Sequence, residues 1–352
     1  MKGLAPDVQA RFATDMVAWQ TRHGRHHLPW QNTRDPYRVW LSEIMLQQTQ
    51  VSTVLAYFPR FLQRFPDVAA LAGASQDEVL GLWSGLGYYS RARNLHRCAM
   101  EVMSRFGGVF PQDPVDLQSL PGIGRSTAAA IAAFCFGQRA AILDGNVKRV
   151  LTRVLGYGAD LSVTAHERAL WDLGDALLPT RDLARTMPRY TQALMDLGAT
   201  VCLPRKADCD ACPVQSLCVA QREGDPQRYP VKTRKLKRSS ESLWLLWAHN
   251  KAGEVWLEKR PDQGVWASLY CLPVFDSAQA LTGTLADGQE AQHDPAFVHV
   301  LTHKDLHLHP VRTRMARVVS KPLRAGVEGA WMGRAQWQGL GLPAPIRKLL
   351  EG

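Results

Sequence analysis

At 352 residues the chain is longer than one typical domain, and its 46% hydrophobic content is enough for two packed cores. Against 32 Asp and Glu stand 42 Lys and Arg, a net charge of +10 that favours an anionic partner, with nucleic acid the best fit. No apolar run approaches the roughly 20 residues needed to cross a bilayer, and the N-terminal segment lacks the apolar core of a secretory signal. The expectation is a soluble intracellular protein whose thiols stay reduced, which sets aside a membrane protein and a disulfide framework.

Residues 1–220 read as mostly helical, with apolar positions recurring at three and four: Val39, Trp40, Ile44 and Gln47; Val79, Leu82 and Trp83; Ile131, Phe134 and Cys135. Breaks are expected at Phe65-Pro66, Gly107-Gly108 and Leu178-Pro179. Residues 221–241, which include Arg222 to Pro230 and the basic run Lys232 to Arg238, form a candidate interdomain linker able to touch phosphates. Beyond it, Leu243–Ala248, Glu254–Lys259, Phe297–Leu301 and Met315–Val319 are short β-branched or aromatic runs between turns, and a helix is expected near Pro345–Leu350. The organisation is thus an all-α domain over 1–220, a linker over 221–241 and an α+β domain over 242–352.

Four cysteines occur as Cys202-x6-Cys209-x2-Cys212-x5-Cys218. Zinc ligands usually come as two close pairs, whereas one pair flanked by single cysteines suits an iron–sulfur cluster wrapped by an irregular loop. A [4Fe–4S] cluster is therefore favoured over zinc, and both over four unrelated thiols. Cys98, Cys135 and Cys271 are scattered in apolar surroundings and read as small core residues.

In Ser119-Leu-Pro-Gly122-Ile-Gly124-Arg125-Ser126, two glycines precede an Ala-rich helix. Backbone amides at such a helix start make a phosphate site, whereas a lone Pro-Gly-x-Gly would be an ordinary turn. Arg125, Lys148, Arg149 and Arg153 add positive charge nearby in sequence, so a helix-hairpin-helix gripping one DNA strand by its backbone is the better account.

This hairpin, the Asp144 about twenty residues beyond it and the cysteine loop resemble the endonuclease III superfamily of DNA glycosylases over residues of about 20–220. Leu28-Pro-Trp30, Trp40 to Gln50, Gly85-Leu-Gly-Tyr88-Tyr89 and Leu143-Asp144-Gly-Asn146-Val-Lys-Arg149 look like the MutY-type adenine DNA glycosylases. Bifunctional members carry a Schiff-base lysine where this chain has Ser126, so the resemblance implies a monofunctional hydrolase. Its expected partner is double-stranded DNA with adenine opposite 8-oxoguanine or guanine. A monomer in the cytoplasm, associated with the nucleoid in a bacterial cell, is also implied.

Removing adenine requires protonation of a ring nitrogen and an anion to stabilise the cationic sugar, work that two carboxyls can do. Glu43 lies among Val39, Trp40, Leu41, Ile44, Met45 and Leu46 with no basic residue at i±3 or i±4. Such surroundings raise a carboxyl pKa and suit a general acid, although a lone helix Glu is more often only partly exposed surface. Asp144 would stabilise the cation or attack C1′, a role compatible with capping the following helix. Asn146 is implied as a polar helper. By resemblance, Gln48 and Tyr88 are inserted into the duplex when adenine is flipped out, while Trp30, Leu46 and Gln192 line or read the adenine pocket. For Tyr88 and Trp30 core packing is the plain alternative.

The C-terminal part resembles the Nudix-like domain of this family, without the paired acidic signature of a magnesium-dependent pyrophosphatase. The family's Phe-Ser-His loop appears as Leu301-Thr302-His303, making Thr302 and His303 the candidates for contacting 8-oxoguanine. His303, His307 and His309 could suggest a metal, but no nearby Cys or acidic cluster completes a site. For the cluster a structural role, shaping a loop with Arg205 and Lys206 for DNA contact, is preferred to redox signalling. Two other readings remain, an endonuclease III-like bifunctional glycosylase acting on oxidised pyrimidines and a catalytically silent DNA-damage binder. Ser126 argues against the first, and Glu43 with Asp144 against the second.

Overall fold

The computed structural model describes residues 5–233, 237–286, 288–315, 327 and 329–352. They fall into two compact units, residues 1–72 with 97–234 and residues 73–96 with 235–352.

The helices up to the cysteine loop are α1 (Pro6–His23), α2 (Pro36–Leu46), α3 (Val51–Arg64), α4 (Val68–Ala72), α5 (Gln76–Leu82), α6 (Ser90–Phe106), α7 (Pro114–Gln118), α8 (Arg125–Phe136), α9 (Gly145–Leu155), α10 (Thr164–Ala176) and α11 (Leu183–Thr200); α12 (Val219–Arg222) follows the loop. The expected breaks recur, since α3 stops before Phe65-Pro66, α6 before Gly107-Gly108 and α10 before Leu178-Pro179. Helix starts follow from the sequence. Asp35 caps α2 by accepting from the Tyr37 N–H, with Pro36 at the first helical position, and Asp144 caps α9 by accepting from the Val147 N–H at 2.8 Å.

In the first unit α8 is the inner helix. Ala128 to Ala133 are all buried, and the small side chains of its five alanines let α2 and α11 pack closely against it. The shared core runs through Phe12, Met16, Ile142, Val147, Leu151, Met187, Tyr190 and Leu194. Where α11 meets α9, a Cβ at Gly198 would stand 2.8 Å from that of Asn146, so only glycine allows this approach. Pro188 inside α11 cannot donate to the Ala184 carbonyl; Arg34 donates to it instead at 3.0 Å.

The second unit holds β1 (Ser239–His249), β2 (Val255–Lys259), β3 (Tyr270–Cys271), β4 (Val274–Phe275), α13 (Ala278–Thr282), β5 (Ala291–His293), β6 (Phe297–Val300), β7 (Lys304–Arg314), β8 (Gly329–Met332), α14 (Arg334–Gln338) and α15 (Ala344–Glu351). Its sheet runs β3-β2-β1-β7-β5, with β4 on β1, β6 on β7 and β8 on β2. The β1–β7 pair is parallel, Ser239 opposite Lys304 through His249 opposite Arg314, and the other pairs are antiparallel. Leu243, Leu245, Leu257, Leu306 and Leu308 meet Trp337, Leu342 and Ile346 in one core. Segment 73–96, with α5 and the start of α6, packs on this unit. Lys259 donates to Asp77 at 2.6 Å, Arg93 to the Ala267 carbonyl at 2.8 Å and Tyr89 to the Leu342 carbonyl at 2.9 Å.

A helical part and an α+β part thus match the expected fold class, and the C-terminal helix lies where it was expected. The long strand β7 departs from the sequence reading. Its alternation of Lys304, Asp305, His307 and Arg312 with apolar residues, and Pro310 within it, disguise a strand that pairs on both sides. Of the expected run Met315–Val319, Met315 follows β7 and residues 316–319 lie outside the described residues, as do residues 234–236 of the basic run.

Candidate active site

A cavity of about 440 Å³ opens in the first unit, lined by Gln20, His26, Trp30, Gln31, Arg34, Glu43, Arg185, Arg189 and Gln192 among others. Glu43 comes from α2, whose apolar neighbours Val39, Trp40, Leu41, Ile44 and Met45 are buried and fix the helix rotation. Burial pushes the Glu43 carboxyl up to about 8, and the charge of Asp144 pushes in the same direction. At neutral pH Glu43 therefore holds its proton. Trp30 is buried edge-to-face on Phe58, with ring centroids 5.5 Å apart, and offers its remaining surface to the cavity.

Beside the cavity stands a second acidic side chain with different partners. Asp196 is fully buried and receives the Arg25 Nε at 2.7 Å, the Arg25 backbone N–H at 3.1 Å and the Gln192 Nε2 at 2.9 Å. A carboxylate oxygen only accepts, so the Gln192 amide turns its nitrogen to Asp196 and its carbonyl oxygen away. Leu46, at the end of α2, is half-buried and is not one of the cavity-lining residues. Gln48, two residues on, is exposed with φ 55°, a left-handed backbone that a side chain rarely adopts.

The hairpin before α8 is a tight turn with Gly122 at φ 78° and Gly124 as the N-cap. A Cβ at Gly124 would meet nothing within 4 Å, so the helix-start amides stand open. The side chains here differ from the expectation. Arg125 lies 4.0 Å over the Trp171 ring and 3.4 Å from Asp175, and Ser126 Oγ accepts from the Leu143 N–H at 3.0 Å, next to Asp144. The positive charge expected from the following helix is engaged within the protein. Lys148 is paired with Glu167 at 2.6 Å, Arg149 donates to the Cys202 and Gly198 carbonyls and to Asn146 Oδ1, and Arg153 donates to the Leu203, Pro204 and Pro226 carbonyls. Both arginines are buried, because the irregular cysteine loop leaves carbonyls that need donors.

Cys202, Cys209, Cys212 and Cys218 surround one small cavity closed by Arg153, Val150 and Leu197. Among the described residues no three His, Cys, Asp or Glu side chains converge on a single metal ion. Exposed Arg205 and Lys206 lie within the same loop. Cys98 and Cys271 are fully buried and Cys135 half-buried, consistent with core roles.

In the second unit Tyr88 is 45% exposed at φ 48°, and its hydroxyl lies 3.0 Å from Thr302 Oγ1. Thr302 and His303 are exposed on the turn between β6 and β7, where the Leu301 N–H donates to the Lys304 carbonyl at 2.8 Å and the Leu301 side chain packs on the sheet core. Of the other two histidines, His307 is 3.4 Å from Ser240 Oγ and His309 stacks on Trp244 at 4.6 Å.

Two family models match the chain, the HhH-GPD superfamily base excision DNA repair protein over residues 41–175 and the NUDIX domain over residues 244–352. An adenine DNA glycosylase of Buchnera aphidicola is 34% identical over 344 residues, 97% of each chain. The chain belongs to the adenine DNA glycosylase family. The mouse member is 47% identical over 223 residues, 61% of this chain and 42% of that one. Among solved structures, a thermostable thymine-DNA glycosylase gives a TM-score of 0.53 at 27% identity, covering 62% of this chain and 100% of that one. An endonuclease III–DNA complex gives 0.51 at 21% identity over 63% and 98%, a likeness of fold alone.

The sequence reading of this glycosylase missed several cavity residues. Arg185 and Arg189 line the cavity beside the expected Gln192, and with the buried Asp196 the four recur at helical spacing on one face of α11, a polar stripe that was legible. Gln31, next to Trp30, reaches the same Asp196 at 3.4 Å.

Proposed function

We propose that this glycosylase excises adenine mispaired with 8-oxoguanine or guanine in double-stranded DNA as a monofunctional hydrolase. The observation that carries the reading is Glu43, a carboxyl held up to about 8 on the wall of a cavity of suitable size, with Asp144 acting on it electrostatically. The division into a glycosylase domain (1–220), a linker (221–241) and a Nudix-like recognition domain (242–352) is part of the same reading. So is a monomer working in the cytoplasm.

The flipped adenine enters against Trp30, and the Gln192 carbonyl, turned away from Asp196, accepts from the exocyclic amino group. Glu43 donates its proton to an adenine ring nitrogen as the C1′–N9 bond breaks and its electron pair leaves with the base. The Asp144 carboxylate stabilises the cation at C1′, or bonds to it transiently, with Asn146 as polar support. Water then adds at C1′ and loses a proton, leaving an abasic site. Without a lysine at the Ser126 position no Schiff base forms, and the strand stays intact. Gln48 and Tyr88 fill the gap left by the adenine, Thr302 and His303 contact the opposite base, and the amides of Gly122, Gly124, Arg125 and Ser126 hold the backbone. A [4Fe–4S] cluster on Cys202, Cys209, Cys212 and Cys218 would tie the basic loop together.

The test is single-turnover cleavage of duplexes with adenine opposite 8-oxoguanine, with and without alkali, beside thymine-glycol duplexes. Breaks in the adenine strand only after alkali are expected. Alkali-independent breaks at thymine glycol would favour the bifunctional reading, and no product on either would leave a binding protein.

A further inference from the structure

The turn that carries Tyr88 is built in an unfavourable conformation. Gly85, Gly87 and Tyr88 have φ of 102°, 71° and 48°, and only the two glycines adopt such values without cost. Something must hold the third. Arg91, the second residue of α6, is buried beneath it and donates through Nη2 to the Leu86 and Gly87 carbonyls at 3.2 and 3.1 Å. Its guanidinium lies 5.3 Å from the Trp83 ring centroid and 5.5 Å from that of Tyr88, between the two aromatics. Trp83 Nε1 donates to the same Gly87 carbonyl at 3.1 Å, and the Arg91 N–H donates to the Tyr88 carbonyl at 2.9 Å. At the far end of the ring the phenol meets Thr302.

We infer that Arg91 is a positioning residue for the wedge. Its guanidinium over the ring and the Thr302 hydroxyl at the phenol hold the Tyr88 side chain, so it is set in its inserting pose before it meets the duplex. The inference rests on the proposed insertion of Tyr88. Its physical content is preorganisation, since a ring already ordered forfeits little entropy on entering the stack. A planar guanidinium can bond adjacent carbonyls while lying over a ring, and a lysine ammonium cannot do both.

A double-mutant cycle tests this on the full-length protein. Single-turnover rates at saturating enzyme on an adenine:8-oxoguanine duplex are compared for wild type, Arg91→Lys, Tyr88→Ala and the double variant, with Arg91→Gln as a second substitution and a cooperative thermal transition required of each. If Arg91 acts through Tyr88, Arg91→Lys slows base removal about tenfold beside Tyr88 and less than about twofold beside alanine, the non-additivity of coupled neighbours. Equal losses in both backgrounds would reduce Arg91 to general support and overturn the inference. An unchanged rate for Tyr88→Ala alone would instead undo the wedge reading itself.

Discussion

The cavity wall in the helical unit and the Tyr88 turn in the sheet unit both maintain an unfavourable state, by different physics. At Glu43 the cost is electrostatic, because burial and the charge of Asp144 penalise ionisation and the carboxyl keeps its proton up to about 8. At Tyr88 the cost is conformational, a left-handed backbone outside glycine that costs roughly 1–2 kcal/mol. Asp196, buried beside the same cavity, sharpens the contrast, since Arg25 and Gln192 surround it with donors where Glu43 has a like charge. Partners decide what surrounds a buried carboxyl: a like charge at Glu43, hydrogen-bond donors at Asp196. Such states persist only where surrounding packing over-determines them, which is how both regions can serve function.

The largest break in this comparison is Glu43→Gln, which removes the proton and little volume. Base removal should fall about a thousandfold, the middle of the range for general acid catalysis, while mismatch binding is retained. Equal rates for variant and wild type in single-turnover assays would remove Glu43 from the mechanism. The pH response comes next. With its pKa raised from 4.5 to about 8, the native state binds the Glu43 proton more tightly than the unfolded chain does. The stability it contributes is complete below pH 4.5 and is lost as pH rises to about 8. Thermal unfolding should therefore show Glu43→Gln gaining on wild type between pH 5 and pH 9, and wild-type base removal should decline above pH 8.

An intermediate effect is expected at Ser126. Replacement by alanine strips the Leu143 N–H of its acceptor, at a cost of about 1–3 kcal/mol for an unsatisfied buried donor. Because Leu143 precedes Asp144, the loss should appear in the single-turnover rate more than in DNA affinity. A drop in melting temperature with an unaltered rate would confine Ser126 to stability.

Much of this was legible in the sequence, and the exceptions have physical causes. Helix periodicity, Pro and Gly breaks and the Asp144 cap could be read because local interactions determine them. The environment of Glu43 was legible in part, since its apolar neighbours and lack of a helical cation partner predicted a raised pKa; the contribution of Asp144 requires tertiary structure. Arg149 and Arg153 were counted as positive charge near the hairpin because sequence counts charges without showing the carbonyls that claim them. The strand β7 was hidden by Pro310 and its charged alternation. The meeting of Tyr88 with Thr302 spans 214 positions in sequence, and no local pattern encodes it.

That contact gives the smallest predicted effect and the most direct probe of the second region. Thr302→Val keeps the shape at Thr302 and deletes one hydroxyl, so the net loss is that of a single exposed hydrogen bond, about 0.5–1.5 kcal/mol, or a two- to twelvefold effect. If Thr302 both tethers Tyr88 and contacts the opposite base, the loss should be greater opposite 8-oxoguanine than opposite guanine. In a Tyr88→Phe background, which removes the other hydroxyl of the pair, the tethering share should vanish and the opposite-base share should persist. Single-turnover rates on the two mismatches in both backgrounds separate the shares. An effect of Thr302→Val that is the same on both mismatches and disappears with Tyr88→Phe would leave Thr302 as a tether and take it out of base recognition.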